Sequence, residues 1–156
     1  MHSVLSFILA FVGFGAIGHL SPKNGISQED WSQTTKVVYR FGDSSVAPDY
    51  HRSYTITVTK SIVSISIDSY GDVLLTWEYP FSPVKFKTFI EKLSQSGMKK
   101  RKMKDDEGCA GGRTESIRLY KQQEKFFDAY VYHCAGESGD LYLPAGTSSL
   151  FTSLIP

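Results

Sequence analysis

Two neighbouring segments alternate between apolar and small hydroxyl side chains at period two: YTITVT over 54–59 and, from Val63 onward, IVSISID over 62–68. A period of two is the signature of strands with one buried face. Setting Val58 opposite Val63 places Ile56 against Ile65 and Tyr54 against Ile67. The other face then carries Thr55, Thr57, Ser64 and Ser66, which can pair as cross-strand hydroxyls. A slip of one residue would bury the hydroxyls, so the pattern specifies its own register. Lys60-Ser61 is poor chemistry for a tight primed turn and predicts a looser connection. The next turn, DSYGD, predicts a three-residue loop over 69–71 with Gly71 as a left-handed bulge residue. That loop sets Ile67 against Val73, Ile65 against Leu75 and Val63 against Trp77, and completes a three-stranded meander with one apolar face.

A helix over 83–96 is predicted next. Ser82 stands as N-cap, Pro83 as first helical residue and Gly97 as the stop, and Phe86, Phe89, Ile90 and Leu93 repeat at helical spacing. Lys85, Lys87, Glu91 and Lys92 fall on its solvated side, so an amphipathic helix covering the sheet is expected. KVVYRF over 36–41 reads as a first strand after a short helical turn at 28–32. Later strands are expected at TESIRLYK, EKFFDAYVYHC and SGDLYLP, and a short C-terminal helix at AGTSSLFTSLI. The run KKRKMK, five basic residues in six, reads as a solvated edge strand or hairpin, because lysine on an edge discourages pairing between molecules. The expected class is α+β: an antiparallel sheet of two meanders, six to seven strands in all, covered by the helix at 83–96. A Gly-Asp turn followed by a strand, Pro and a helix start recurs at Gly71-Asp72 and Gly139-Asp140, consistent with two copies of one meander-plus-helix unit.

The N-terminus is patterned differently. No Asp, Glu, Lys or Arg occurs over 1–22, and VLSFILAFVGFGAIG over 4–18 is a nearly continuous apolar run ending in a small-x-small site. It reads as a secretory signal peptide over 1–18, with an uncleaved membrane anchor and a buried helix as alternatives. A linker over 19–35 and a single domain over 36–156 follow, and export to a periplasmic or extracellular compartment is expected. The membrane enters only if the apolar run stays attached.

That compartment frames the two cysteines, Cys109 and Cys134, the only ones among 156 residues. A metal site, a Cys-His nucleophile beside His133 and a disulfide all compete. Pairing Ile117 with Phe127 puts Ile117, Leu119, Phe127, Ala129 and Val131 on one face, and an extra residue at Gly111-Gly112 brings Cys109 to Cys134. A disulfide suits that geometry and an oxidising compartment. His133, adjacent to Cys134 on a strand, would point to the opposite face, among the core residues. Zinc would need further ligands, from His51 or distant carboxylates, at no recognisable spacing.

Composition narrows the function classes. With 17 Lys and Arg against 16 Asp and Glu, net charge +1, the chain lacks the basic balance of a nucleic-acid binder. GESGD is not a Gly-x-Ser-x-Gly elbow, and no P-loop, dinucleotide fingerprint or His-Glu-x-x-His occurs, so no cofactor is called for. SGDLY over 138–142 is similar to the Ser-Gly-x-x-Tyr motif of periplasmic C-type lysozyme inhibitors. It spans five residues without the Tyr-x-x-Lys-Gly motif that accompanies it there, and it assigns no family. The expectation is an exported, non-enzymatic domain that binds a protein, as an inhibitor or immunity-type protein would, through turns near Tyr70, Gly71, Asp72, Ser138, Gly139 and Asp140. The alternatives are a secreted hydrolase using His133 or His51 with a carboxylate, and a membrane-anchored structural domain of the cell envelope.

Overall fold

The computed structural model describes residues 25–105 and 109–156. The apolar run over 4–18 and its reading as a signal peptide lie outside the described residues. Among the described residues, eight strands form one antiparallel sheet: β1 (Lys36–Gly42), β2 (Ser53–Thr59), β3 (Ile62–Ser69), β4 (Asp72–Pro80), β5 (Lys99–Lys104), β6 (Arg113–Lys121), β7 (Glu124–His133) and β8 (Glu137–Tyr142). Three helices among the described residues accompany them: α1 (Gln28–Gln33), α2 (Pro83–Gln95) and α3 (Thr147–Thr152). The spatial order is β4-β3-β2-β1-β6-β7-β8-β5. The expectation of six to seven strands in two meanders is thereby corrected. β1 pairs with β6 and fuses both meanders into one sheet, and the basic run supplies an eighth strand beside β8. Gly139-Asp140 also lies inside β8, so the echo of the Gly71-Asp72 turn is not a second turn.

The β2–β3 register is the one that the alternation dictates. Val58 faces Val63, Ile56 faces Ile65, Tyr54 faces Ile67, and Thr55 and Thr57 face Ser66 and Ser64. Pairing stops at Val58 and Val63, and the Thr59 side chain closes the loop by accepting from the Ile62 N–H at 3.1 Å. Val58, Ile56, Val63 and Ile65 are fully buried with Val37 and Tyr39 of the central strand β1. Each such aliphatic side chain stabilises by roughly 1.5–3 kcal/mol.

The two following hairpins depart from expectation in the same way. Ser69 pairs directly with Asp72 across a two-residue turn, Tyr70-Gly71, and a bulge at Leu74 then brings Ile67 against Leu75 rather than Val73. Ile65 accordingly faces Trp77 and Val63 faces Tyr79. In β6–β7, Lys121 pairs with Glu124 and a bulge at Phe126 sets Leu119 against Phe127 and Ile117 against Ala129, not Phe127. Both turns place a non-glycine residue at positive φ, Tyr70 at 52° and Gln122 at 54°. The bulge in each restores the face that the tight turn would invert. The buried set of Ile117, Leu119, Phe127, Ala129 and Val131 is therefore as the pattern requires.

α2 starts where its sequence says. The Ser82 hydroxyl accepts from the Lys85 N–H at 3.2 Å, Pro83 leads the helix, and Gly97 leaves it at φ 79°. Phe86, Phe89, Ile90 and Leu93 are its buried residues and belong to the same core cluster as Trp31 of α1 and Phe151 of α3. The Phe151 ring stacks on Tyr39 at 4.3 Å, which ties α3 to β1.

Candidate functional site

Two clusters of polar and aromatic groups stand on opposite halves of the sheet. The first is built where loop 43–52, between β1 and β2, meets the β3–β4 turn. Asp43 ties the loop's ends together, because its carboxylate accepts from the Arg52 N–H and the Ser44 N–H at 2.9 and 2.8 Å. Those bonds, that from Arg52 foremost, hold its pKa below the usual carboxylate value. His51 is buried at the end of this loop. Its Nδ1 accepts from the Tyr70 N–H at 3.2 Å, its ring stacks on Tyr70 at 3.9 Å, and Nε2 lies 3.4 Å from the Ser53 hydroxyl. The Tyr70 hydroxyl donates to the Val46 carbonyl at 2.5 Å, and Ser69 donates to the Pro48 carbonyl at 2.8 Å. These contacts explain how Tyr70 can hold a backbone conformation that suits glycine.

The result is a fixed corner with exposed aromatic groups. Tyr50 is 76% and Tyr70 56% exposed, with Val46 beside them and Val73, Leu74 and Leu75 following on β4. Six of the ten large hydrophobic residues that stand exposed among the described residues gather here. Such clustering, unlike a scattered surface leucine, calls for an explanation.

The second cluster spans β6, β7, β8 and β5. Glu115 Oε2 accepts from the Tyr39 hydroxyl at 2.5 Å and from Ser148, while Oε1 stands 3.1 Å from His133 Nε2. His133 Nδ1 is 3.6 Å from Glu137, and Glu137 binds Arg101 at 3.2 Å. Burial, reinforced by the Glu115 carboxylate, raises Tyr39 far above the ordinary phenol range, so this hydroxyl is a permanent donor. His133 points to the inward face as expected, but it is half-buried between two carboxylates rather than enclosed in the core. Ser148 donates to Glu115 and not to His133, so the order nucleophile, base, carboxylate of a hydrolytic triad is not assembled. His51 is packed against Tyr70 and holds a turn. Among the described residues no three His, Cys, Asp or Glu side chains stand so as to hold a metal ion.

Cys109 and Cys134 form a disulfide with Cα atoms 5.9 Å apart. β6 starts at Arg113, opposite His133, so the in-register neighbour of Cys134 is Gly112 and the chain turns at Gly111, φ 85°, to bring Cys109 back. A Cβ on Gly112 would lie 2.5 Å from the His133 carbonyl and 2.6 Å from Cys134 Cβ, which is why this glycine cannot be replaced freely. The Tyr132 hydroxyl accepts from the Gly112 N–H at 3.0 Å and donates to the Cys109 carbonyl at 3.2 Å.

The binding residues read from the sequence are distributed over both halves. Tyr70, Gly71 and Asp72 form the exposed β3–β4 turn. Ser138, Gly139 and Asp140 lie inside β8, a strand flanked by β7 and β5, and Gly139 pairs with Val131 on one side and Lys104 on the other. Asp140 accepts from the Tyr130 N–H at 3.0 Å and faces Lys100 at 3.5 Å, and Arg101 approaches the Ser138 and Gly139 carbonyls. The structure therefore does not gather the six into one surface. Sequence reading missed Tyr50, Val46 and the cluster around Glu115. A tyrosine in a polar loop carries no periodic signal, and Glu115 differs from its solvated neighbours only through partners distant in the chain.

No helix among the described residues is long and apolar enough to cross a membrane. Comparison with known protein families, curated proteins and solved structures yields no match.

Proposed function

We infer that the chain is a small exported, non-enzymatic domain that binds another protein, as an inhibitor or immunity-type protein of an envelope or secretion would. The observation that carries this reading is the rigid aromatic corner: Tyr50 and Tyr70 exposed on a loop and a turn locked together by His51 and Asp43. Preorganised tyrosines offer large amphipathic contact area at small entropic cost, which is what a binding surface needs. The disulfide agrees with an oxidising compartment. In this reading α2 is the cover of the inward sheet face, its Phe86, Phe89, Ile90 and Leu93 sharing one buried cluster with β1, β2 and β3. The corner is left for contact.

The test is a photo-crosslinking amino acid placed at Tyr50 in the protein expressed in its host, with the same group at exposed Tyr130 of β7 as control. One dominant protein adduct at Tyr50, absent at Tyr130 and lost on Tyr70→Ala, is the expected result. Equal labelling at both positions, or none at either, would refute the assignment of the corner.

A further inference from the structure

Among the described residues the sheet has two edge strands, and they are built to opposite rules. β5 carries Lys99, Lys100, Arg101, Lys102 and Lys104, charges that keep a second strand away. β4 reads DVLLTWEYP, and Val73, Leu74, Leu75 and Thr76 on it are exposed. Its only charges are Asp72 and Glu78. A long apolar edge of this kind is a template for another strand.

We propose that β4 pairs antiparallel with β4 of a second copy of this chain, joining two sheets across a two-fold axis at Thr76. The registers that keep the inward face continuous are those centred on a residue. Centring on Leu75 sets Asp72 against Glu78 twice, like charges directly opposite. Centring on Trp77 leaves the two Glu78 carboxylates as diagonal neighbours. Centring on Thr76 pairs Leu75 with Trp77 twice and Leu74 with Glu78 twice, with no like-charge pair. The bulge at Leu74 ends this ladder on each copy. Each exposed Leu75 is covered by the Trp77 of the other copy, and the contact closes on itself. A head-to-tail contact of β4 on β5 would propagate without end, against five cations with two acids to offset them. The pairing leaves one Tyr70 corner at each end of the joined edges, so it goes beyond the binding reading and does not depend on it.

The register gives a position-specific test. Across the axis Thr76 meets its own copy at about 4.5–5.5 Å between Cα atoms, within disulfide reach. Glu78 is separated from its copy by about 14 Å along the strand, outside it. Thr76→Cys, Glu78→Cys and, on β5, Lys102→Cys are introduced separately into the chain expressed in its host, which is oxidised and run without reductant. A covalent dimer at position 76 and its absence at 78 and 102 is the expected outcome. No dimer at 76, or similar yields at all three, would overturn the proposal. Light scattering on the protein recovered from the host provides an independent measure. The unsubstituted protein should give a dimer mass, and Thr76→Lys, which sets two ammonium groups on the axis, should weaken the dimer at least tenfold while the far-UV spectrum stays unchanged. A monomer mass for the unsubstituted protein sinks the idea even if the Tyr50 crosslink succeeds, and loss of that crosslink alone leaves the dimer standing.

Discussion

Replacing Cys109 and Cys134 together by alanine isolates the contribution of the disulfide, because both residues are partly exposed and little apolar burial is lost with them. The bond joins residues 25 apart in sequence. Chain entropy for a closed loop of that size gives about 3.5 kcal/mol at 25 °C. The 5.9 Å Cα separation is in the middle of the usual range, so the folded backbone need not distort to accept the bond. Urea unfolding followed by tryptophan fluorescence is a suitable assay, since Trp31 is buried and Trp77 half-buried. With a slope near 2 kcal/mol/M, the midpoint should fall by about 2 M. The slope itself should steepen, because the unbridged unfolded chain exposes more surface. A loss below about 1 kcal/mol with an unchanged slope would refute the reasoning. It would mean that β6 and β7 stay associated in the unfolded ensemble, so that the bond constrains nothing further.

Other perturbations address the remaining parts of the structure. His51→Ala removes the acceptor of the Tyr70 N–H and the ring stacked on it; a loss of about 2 kcal/mol is expected, with faster proteolysis within loop 43–52, and an unchanged cleavage rate there would count against its pinning role. Phe151→Ala, at a fully buried ring, should cost about 3–5 kcal/mol in thermal or urea unfolding, whereas a value under 1 kcal/mol would mean that α3 is not docked on Tyr39. Asp30 is held below its ordinary value of 3.8, first by its bond to Lys121 and then by the Ser27 hydroxyl. A depressed carboxylate contributes stability that is present above 3.8 and lost as pH falls through the lower folded value. Melting temperature measured from pH 5 to pH 2 should therefore fall less steeply for Asp30→Asn than for the parent, and parallel curves would contradict the assignment.

Legibility in the sequence depended on whether a residue's role was local. Ser82, Pro83 and Gly97 bound α2 through their own backbone chemistry, and the alternation in β2 and β3 fixed a register that a slip would have inverted. The hairpins at Tyr70 and Gln122 were misjudged by two residues for a shared reason. Positive φ at a non-glycine residue is assigned a cost by any local rule, yet here the cost is offset from far along the chain. Tyr70 is held by His51, and Gln122 donates its N–H to Thr35 at 2.7 Å. The Glu115 cluster was illegible on the same ground, since Tyr39, His133 and Ser148 converge on it from three other elements. Charge alone marks the basic run as an edge, but its place beside β8 rather than next to β4 or β6 is not encoded locally.

That placement gives the disulfide a second consequence. β5 comes before β6 in the chain but pairs with β8, and Lys104 meets Gly139 only after about 35 residues have been traversed. Once Cys109 and Cys134 are joined, the path runs five residues from Lys104 to the first sulfur and five from the second to Gly139, about ten in all. Shortening the loop by that factor relieves roughly 1 kcal/mol of closure entropy. A covalent link within one hairpin thus acts as a topological shortcut for a strand that belongs to neither arm of it. The oxidation state of two sulfurs sets whether the outermost strand finds its place as a distant partner or as a neighbour.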